Sequence, residues 1–438
     1  MRPDRAFIHF QRLQSRSRYC VKWRAAKHRS NHIDKPTHTI VIGGGQAGLC
    51  ASYYLSRQGI EHLVLERARI GERWRSERWD TLRFQFPNRY VRLPGFAYQG
   101  DAPESFMHRD GIVSFIEQYA SHIGAPIRCG VHVRSVELDG KGRFVINAGE
   151  QTFTALNVIV ATGPYQKTLL PGVAAQLPPD LHQLTASTYT HPGALPPGGV
   201  LVVGAGGSGV QITEDLLAQG RETWLCVGKF KRIPRRYRGR DIMDWLEALN
   251  LTNQPVEDRD PSDHSPLLTG VDGGYEVDLR RIVTQGGTLL GRLEGMDGDE
   301  LILGDQLIKH MQAAEVAYDE IISGIESALA ATPDGHSAPE PRPDPPGPMP
   351  PEPPARLNLR DANITTVIWA TGYGVDFSWV RCGQWLADGM PVQTRGVGSV
   401  PGLYFLGLFF MYSARSSFFW GVGDDAEHVV AHINAERS

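Results

Sequence analysis

Short aliphatic runs ending in glycine, each followed by a stretch with helical spacing, set the rhythm of this 438-residue chain. Thr39–Ile42 is β-branched throughout, as in a strand covered on both faces. The spacing after it predicts a helix over 46–58 and a second strand over 62–66. The same order returns at Val200, with an aliphatic strand, a helix and a second strand over 223–227. Between the copies, alternation near 131–137, 143–147 and 151–153 predicts antiparallel strands, and Val158–Ala161 predicts a buried one. Residues 312–331 carry Val316, Ile321, Ile325 and Leu329 on one predicted helical stripe. Ile364–Trp369 and 403–406 read as strands, and a last helix starts near Asp424. This order predicts an α/β fold of two Rossmann-type domains, the second inserted in the first. The outer domain would take 37–164 and 372–438, the inserted one 165–371.

Three segments depart from the pattern. Residues 1–36 hold ten Lys and Arg against Asp4 and Asp34, and are expected to be a basic, disordered extension. Residues 332–356 are dominated by proline, which excludes helix and central strand and predicts an extended surface linker. Residues 396–414 carry no charge, but Pro401 and several glycines make them a buried strand with loops, not a membrane span.

The glycines between strand and helix carry the chemistry. Gly43-x-Gly45-x-x-Gly48 and Gly204-x-Gly206-x-Ser208-Gly209 are two dinucleotide fingerprints. In each, the first glycine makes the turn, the second admits a pyrophosphate and the third lets helix pack on strand. The pyrophosphate rests on free N–H groups at the helix start, which brings Gln46 and Ala47 to the first site. Glu66, 18 positions past Gly48, stands where a carboxylate accepts from an adenosine ribose, with Arg67 beside it. The second copy ends instead in a basic run, with Lys229, Arg232, Arg235 and Arg236. Cations there accommodate a 2′-phosphate, so NADPH is expected over NADH, with Lys229 and Arg232 as first candidates. Ala161-Thr162-Gly163 and Ala370-Thr371-Gly372 each close an aliphatic strand and bracket the second unit, as two crossings between domains require. Two dinucleotides in one chain point to a flavoenzyme reduced by a nicotinamide, with FAD in the first site.

Composition narrows the class further. Net charge is −3, so the protein as a whole offers no basic face to nucleic acid. Five scattered cysteines without a C-x-x-C pair argue against a zinc site or a dithiol relay. No metal site is expected, the cytoplasm is the expected compartment, and oligomeric state is not legible.

With Glu66, Gly71-x-x-Trp74, both Ala-Thr-Gly segments and Pro401–Gly407 in order between and after the two fingerprints, the chain resembles the flavin-containing monooxygenase superfamily from about residue 38 onward. The resemblance implies FAD held by the first fingerprint, Glu66, Arg73 and Trp74, and NADPH held by the second. It implies reaction of the reduced flavin with molecular oxygen and transfer of one oxygen atom to a small organic substrate. Gln85 falls where relatives carry a catalytic Asn, and Asp424 where a helix start faces the flavin. The inter-domain pattern F-x-G-x-x-x-H-x-x-x-Y falls on Pro179–Tyr189, where Pro179, Leu181 and Thr185 depart from it and Tyr189 agrees. Two other readings stay open: a flavin reductase or dehydrogenase, and a non-catalytic FAD-binding regulator. The aromatic stretch 409–420 is either core or substrate pocket.

Overall fold

The computed structural model describes residues 36–255, 266–330 and 339–437. The basic extension, apart from Pro36, and the first residues of the proline-rich segment lie outside the described residues.

β1 (Thr37–Ile42), α1 (Gln46–Arg57) and β2 (His62–Glu66) form the first strand–helix–strand unit, with β1 and β2 parallel and Thr39 opposite His62. β3 (Ile127–Cys129) extends this sheet beside β2. β4 (Ser135–Leu138), β5 (Phe144–Ala148) and β6 (Gln151–Val160) follow as an antiparallel excursion. The strand expected near 131 begins only at Ser135, because residues 131–134 leave the ladder to line a cleft. β6 is long enough for two neighbours: its first half pairs with β5 and its second half runs parallel to β1.

A second sheet is all parallel. β7 (His182–Thr185), β8 (Gly199–Val203), β9 (Thr223–Cys226), β10 (Thr288–Leu290) and β11 (Ile364–Trp369) lie in the order β7-β11-β8-β9-β10. Every residue of β8 and β9 is buried, which explains why Thr223 is the one polar side chain in the two strands. α2 (Gly207–Ala218) connects β8 to β9, while α3 (Ile242–Ala248) and α4 (Leu307–Ala330) lie in the longer excursions. α4 starts earlier than its sequence pattern suggested, and it buries Leu307, Met311, Ala314, Tyr318 and Ile325. Val316 is exposed, contrary to the expected stripe. It stands two residues, roughly 200° on the helical wheel, from Ala314. Residues 339–355 run without regular structure, and Arg342 ties them to Glu315 and Asp319 on α4.

The chain then rejoins the first sheet, where β12 (Leu403–Phe405) lies parallel to β6. The last helix, α5 (Val422–Ala435), begins two residues before the expected Asp424 and packs against α1. Two crossings join the sheets, after Val160 and after Trp369. A short antiparallel ladder ties them, with Thr168 opposite Tyr373 and Lys167 opposite Gly374. No helix among the described residues is long and apolar enough to span a membrane.

Candidate dinucleotide cleft

One cavity of about 1360 Å³ runs along the ends of both sheets and is lined by both glycine turns. It exceeds the roughly 300–1,000 Å³ of ordinary small-molecule pockets. The two turns are built alike. Gly43 (φ +118°) and Gly204 (φ +109°) take a backbone conformation that L-residues avoid. A Cβ on Gly43 would stand 2.4 Å from the Ala161 carbonyl oxygen, and one on Gly204 2.5 Å from that of Ala370. Each first glycine thus leans on the strand that crosses to the other sheet. A Cβ on Gly48 would meet Gly43 O at 1.9 Å, and one on Gly209 would meet Gly204 O at 1.8 Å. These third glycines do not line the cavity; they let helix lie on strand. The middle glycines differ: a Cβ on Gly45 or Gly206 would find no protein atom within 4 Å. That space faces two helix starts, as a pyrophosphate requires.

Glu66 is buried at the end of β2, where Gly44 N–H donates to Oε2 at 2.7 Å and Ala68 N–H donates to Oε1 at 3.0 Å. Each carboxylate oxygen keeps one acceptor position, and the residue lines the cavity. Arg67 and Arg73 share Glu77 at 2.7 and 2.5 Å, so the cations expected at this end arrive already neutralised. Trp74 packs against Phe84 and Phe419 at centroid distances of 5.9 and 6.2 Å. Gln85 reaches the cavity, its backbone carbonyl held by Arg235 at 2.8 Å. Gln46, Ala47, Thr162 and Gly163 line it on the first side, and Ser208, Thr371 and Gly372 on the second. Ser417 belongs to the first side, since its carbonyl accepts from Gln46 Nε2 at 2.8 Å. Its buried Oγ has no partner among the described residues, which leaves it free to meet a ligand.

Two expected site residues lie elsewhere. Arg232 is 3 % exposed, absent from the cavity wall, and enclosed by Glu276, Asp278 and Glu315 above the Tyr318 ring. Its charge is satisfied inside the protein, so it is corrected from phosphate ligand to structural cation. Arg235 is likewise paired with Asp241 at 2.5 Å. Lys229 does line the cavity, with no carboxylate partner among the described residues. Asp424 is also corrected: it sits within α5, half-exposed and paired with Arg415 at 2.7 Å, and does not line the cavity.

Sequence reading missed Arg78, whose guanidinium lies 5.1 Å from the Tyr165 ring and 5.7 Å from Trp74. Tyr165 in turn meets Tyr373 edge-on at 5.1 Å. The signal was present, since each Ala-Thr-Gly crossing is followed within two residues by tyrosine. In the diverged inter-domain pattern, Tyr189 is buried and donates to Asp215 at 2.6 Å, and Thr81 donates to the same carboxylate at 2.9 Å. The aromatic stretch near the C-terminus is both pocket and core. Phe409, Phe410, Phe418 and Phe419 line the cavity, while Trp420 packs behind them on Tyr90.

The model of the pyridine nucleotide-disulphide oxidoreductase family matches residues 40–247. The CzcO-like oxidoreductase of Geobacillus kaustophilus is 32 % identical over 397 residues, 90 % of this chain and 97 % of that protein. The indole-3-pyruvate monooxygenase YUCCA1 of Oryza sativa subsp. japonica is 25 % identical and covers 91 % of each chain. Among solved structures, the flavin-containing monooxygenase of Stenotrophomonas maltophilia superposes with a TM-score of 0.64 at 19 % identity, covering 92 % of this chain and all of that one. The ornithine N-hydroxylase of Kutzneria sp. 744, solved with reduced FAD, NADP+ and L-ornithine, gives 0.59 at 13 % identity, with 92 % and 100 % coverage. These two likenesses carry the fold alone: α/β, with two Rossmann-like dinucleotide-binding units. The 32 % identity to the Geobacillus protein, over nearly the whole of both chains, establishes that the chain belongs to the CzcO-like oxidoreductases.

Proposed function

We propose that the protein is an FAD-dependent, NADPH-consuming monooxygenase that adds one atom of molecular oxygen to a small organic substrate. The observation that carries this reading is the single cavity lined by both glycine turns, in which two dinucleotide rings can meet. The residues present fit the cofactors: open space over Gly45 and Gly206, the oriented Glu66 carboxylate, and the Ser417 Oγ and Lys229, both without a partner among the described residues. FAD would be held by Gly43, Gly45, Gln46, Ala47 and Glu66, and would supply hydride acceptance and oxygen activation. NADPH would be held by Gly204, Gly206, Ser208 and Lys229. The two electrons that NADPH would supply, with two protons, account for one oxygen atom leaving as water as the other enters the substrate. The aromatic wall of Trp74, Phe84 and Phe419 keeps water from the reacting centre. Gln85 supplies an amide beside it, in the position the resemblance gives to a catalytic residue.

The test is a redox balance on the FAD-loaded protein. Monooxygenase chemistry consumes one NADPH per oxygenated product, found by mass spectrometry in a substrate screen, with little hydrogen peroxide released. Stoichiometric peroxide with every candidate substrate would make the protein a flavin reductase. Absence of NADPH consumption would make it a nucleotide-binding regulator.

A further inference from the structure

Gln211 projects from α2 one helical turn beyond Ser208, on the side that faces the cavity. The residue is 7 % exposed. Its Nε2 donates to the Leu268 carbonyl at 3.2 Å. A carbonyl can only accept, so this bond fixes the amide with its nitrogen toward Leu268. Oε1 is then the free end, and it is buried with no partner among the described residues. A buried acceptor left unpaired is costly, and native structures rarely keep one without a ligand or water to serve it.

The neighbourhood says what that ligand is made of. Leu268 does not belong to the core packed around α2. It joins Phe84, Phe86, Ile233, Met243 and Leu246 in the cluster between the first domain and α3, and all six line the cavity. None of the six carries a charge or a hydrogen-bonding side chain. The Gln211 amide therefore reaches from the second nucleotide-binding unit to an apolar wall of the shared cleft.

We propose that Gln211 is a specificity-determining residue: its Oε1 accepts a hydrogen bond from the substrate, which is an uncharged, largely apolar molecule bearing one N–H or O–H donor. Calling that molecule a substrate rests on the monooxygenase reading above. The nicotinamide carboxamide is the competing donor, and the test separates the two.

The FAD-loaded protein is titrated with 2-naphthol and with 2-methoxynaphthalene, following the flavin absorbance. The pair shares the naphthyl ring and exchanges O–H for O–CH3, so the ether loses the donor and gains a methyl that a purely apolar wall prefers. Wild type is expected to bind 2-naphthol about tenfold more tightly, and Gln211→Met to abolish or reverse that preference. Equal or tighter binding of the ether by wild type overturns the proposal without any variant. So does a preference that survives in Gln211→Met, and so does a variant whose NADPH dissociation constant rises while the naphthol preference stays. Flavin reduction by NADPH, measured in the same samples, reports separately on the parent reading. Its failure would sink that reading, whereas the probe pair sinks this one.

Discussion

The same chemical change, glycine to a residue with a side chain, should have opposite consequences three positions apart in the first turn. Gly45 is the N-cap of α1 at φ −91° and ψ −171°, extended backbone open to any residue, and its Cβ would meet nothing within 4 Å. The Cβ that Gly45→Val adds therefore meets no protein atom within 4 Å. The substitution removes backbone freedom from the unfolded chain, a gain of ~0.4–1 kcal/mol. The valine methyls fill the space over the helix start, so the dinucleotide loses its pyrophosphate seat. Gly48→Ala does the reverse. Its Cβ would sit 1.9 Å from Gly43 O, roughly 1.5 Å inside ordinary contact, and the obstacle is backbone that cannot rotate away. Pushing α1 off β1 costs about 1–3 kcal/mol or more, against a helix-propensity gain of ~1 kcal/mol. The assay is paired: flavin occupancy from the ratio of absorbance at the flavin and protein bands, and thermal melting of flavin-stripped protein. Gly45→Val should be colourless with an unchanged or slightly raised melting point. Gly48→Ala should melt lower even when stripped. Full flavin occupancy in Gly45→Val, or equal melting of the two stripped variants, would refute the division of labour among the glycines.

Three further outcomes follow from the site. Arg232→Ala strips a buried cation from Glu276, Asp278 and Glu315. It should cost about 3 kcal/mol in denaturant unfolding and leave the ratio of KM values for NADPH and NADH unchanged. Lys229→Ala should raise the dissociation constant for NADPH about tenfold by calorimetry while that for NADH stays within about twofold, since only NADPH carries the 2′-phosphate. His62 is held neutral by burial, Nδ1–H donating to Ile60 O at 2.9 Å and Nε2 accepting from the Ser52 hydroxyl at 2.8 Å. Its pKa lies below the ordinary 6.5, so the unfolded chain binds the extra proton first and stability falls as pH drops below that value. His62→Gln should flatten this part of the stability-against-pH curve, and an unchanged slope would remove His62 from the titration.

What was legible beforehand is what depends on neighbours in sequence. β2 ends at Glu66 as read, because a β-branched run, a fixed helix length and a glycine triplet are local facts. Long-range partners were not legible. Arg232 looked like a phosphate ligand beside Lys229, but Glu276 and Glu315, 44 and 83 positions away, already neutralise it. A dense basic run states how much charge is present, not which guanidinium turns inward. Val316 failed for a local reason: its neighbours on the helix surface include Gln312, Asp319 and Glu320, so it stands on the polar face while Ala314, Tyr318 and Ile325 turn inward. Asp424 was displaced by a helix start two residues early, enough to turn its carboxylate toward Arg415 and away from the cleft.

The repeated crossings explain how two separately folded turns come to share one cavity. Ala161 and Ala370 each follow the last residue of a strand, and each presents the carbonyl on which the glycine of its own sheet leans. The next residues, Thr162–Gly163 and Thr371–Gly372, line the cavity and lead directly into the Thr168–Tyr373 ladder. The covalent link between the units and the cavity wall are thus the same residues. Changing the length of one crossing should therefore alter the alignment of the two rings without touching either turn. Inserting one residue between Tyr165 and Gln166 shifts the ladder register and inverts the faces of its side chains. Both dinucleotides should still bind within a few-fold of wild-type affinity. A displacement of about 1 Å between reacting rings costs on the order of a hundredfold in rate, so anaerobic reduction of the flavin by NADPH in rapid mixing should slow by about that factor. If the insertion left hydride transfer at its wild-type rate, the ladder would not govern how the rings meet. If it abolished binding of either dinucleotide, the glycine turns would not be the independent cradles that their matching geometry indicates.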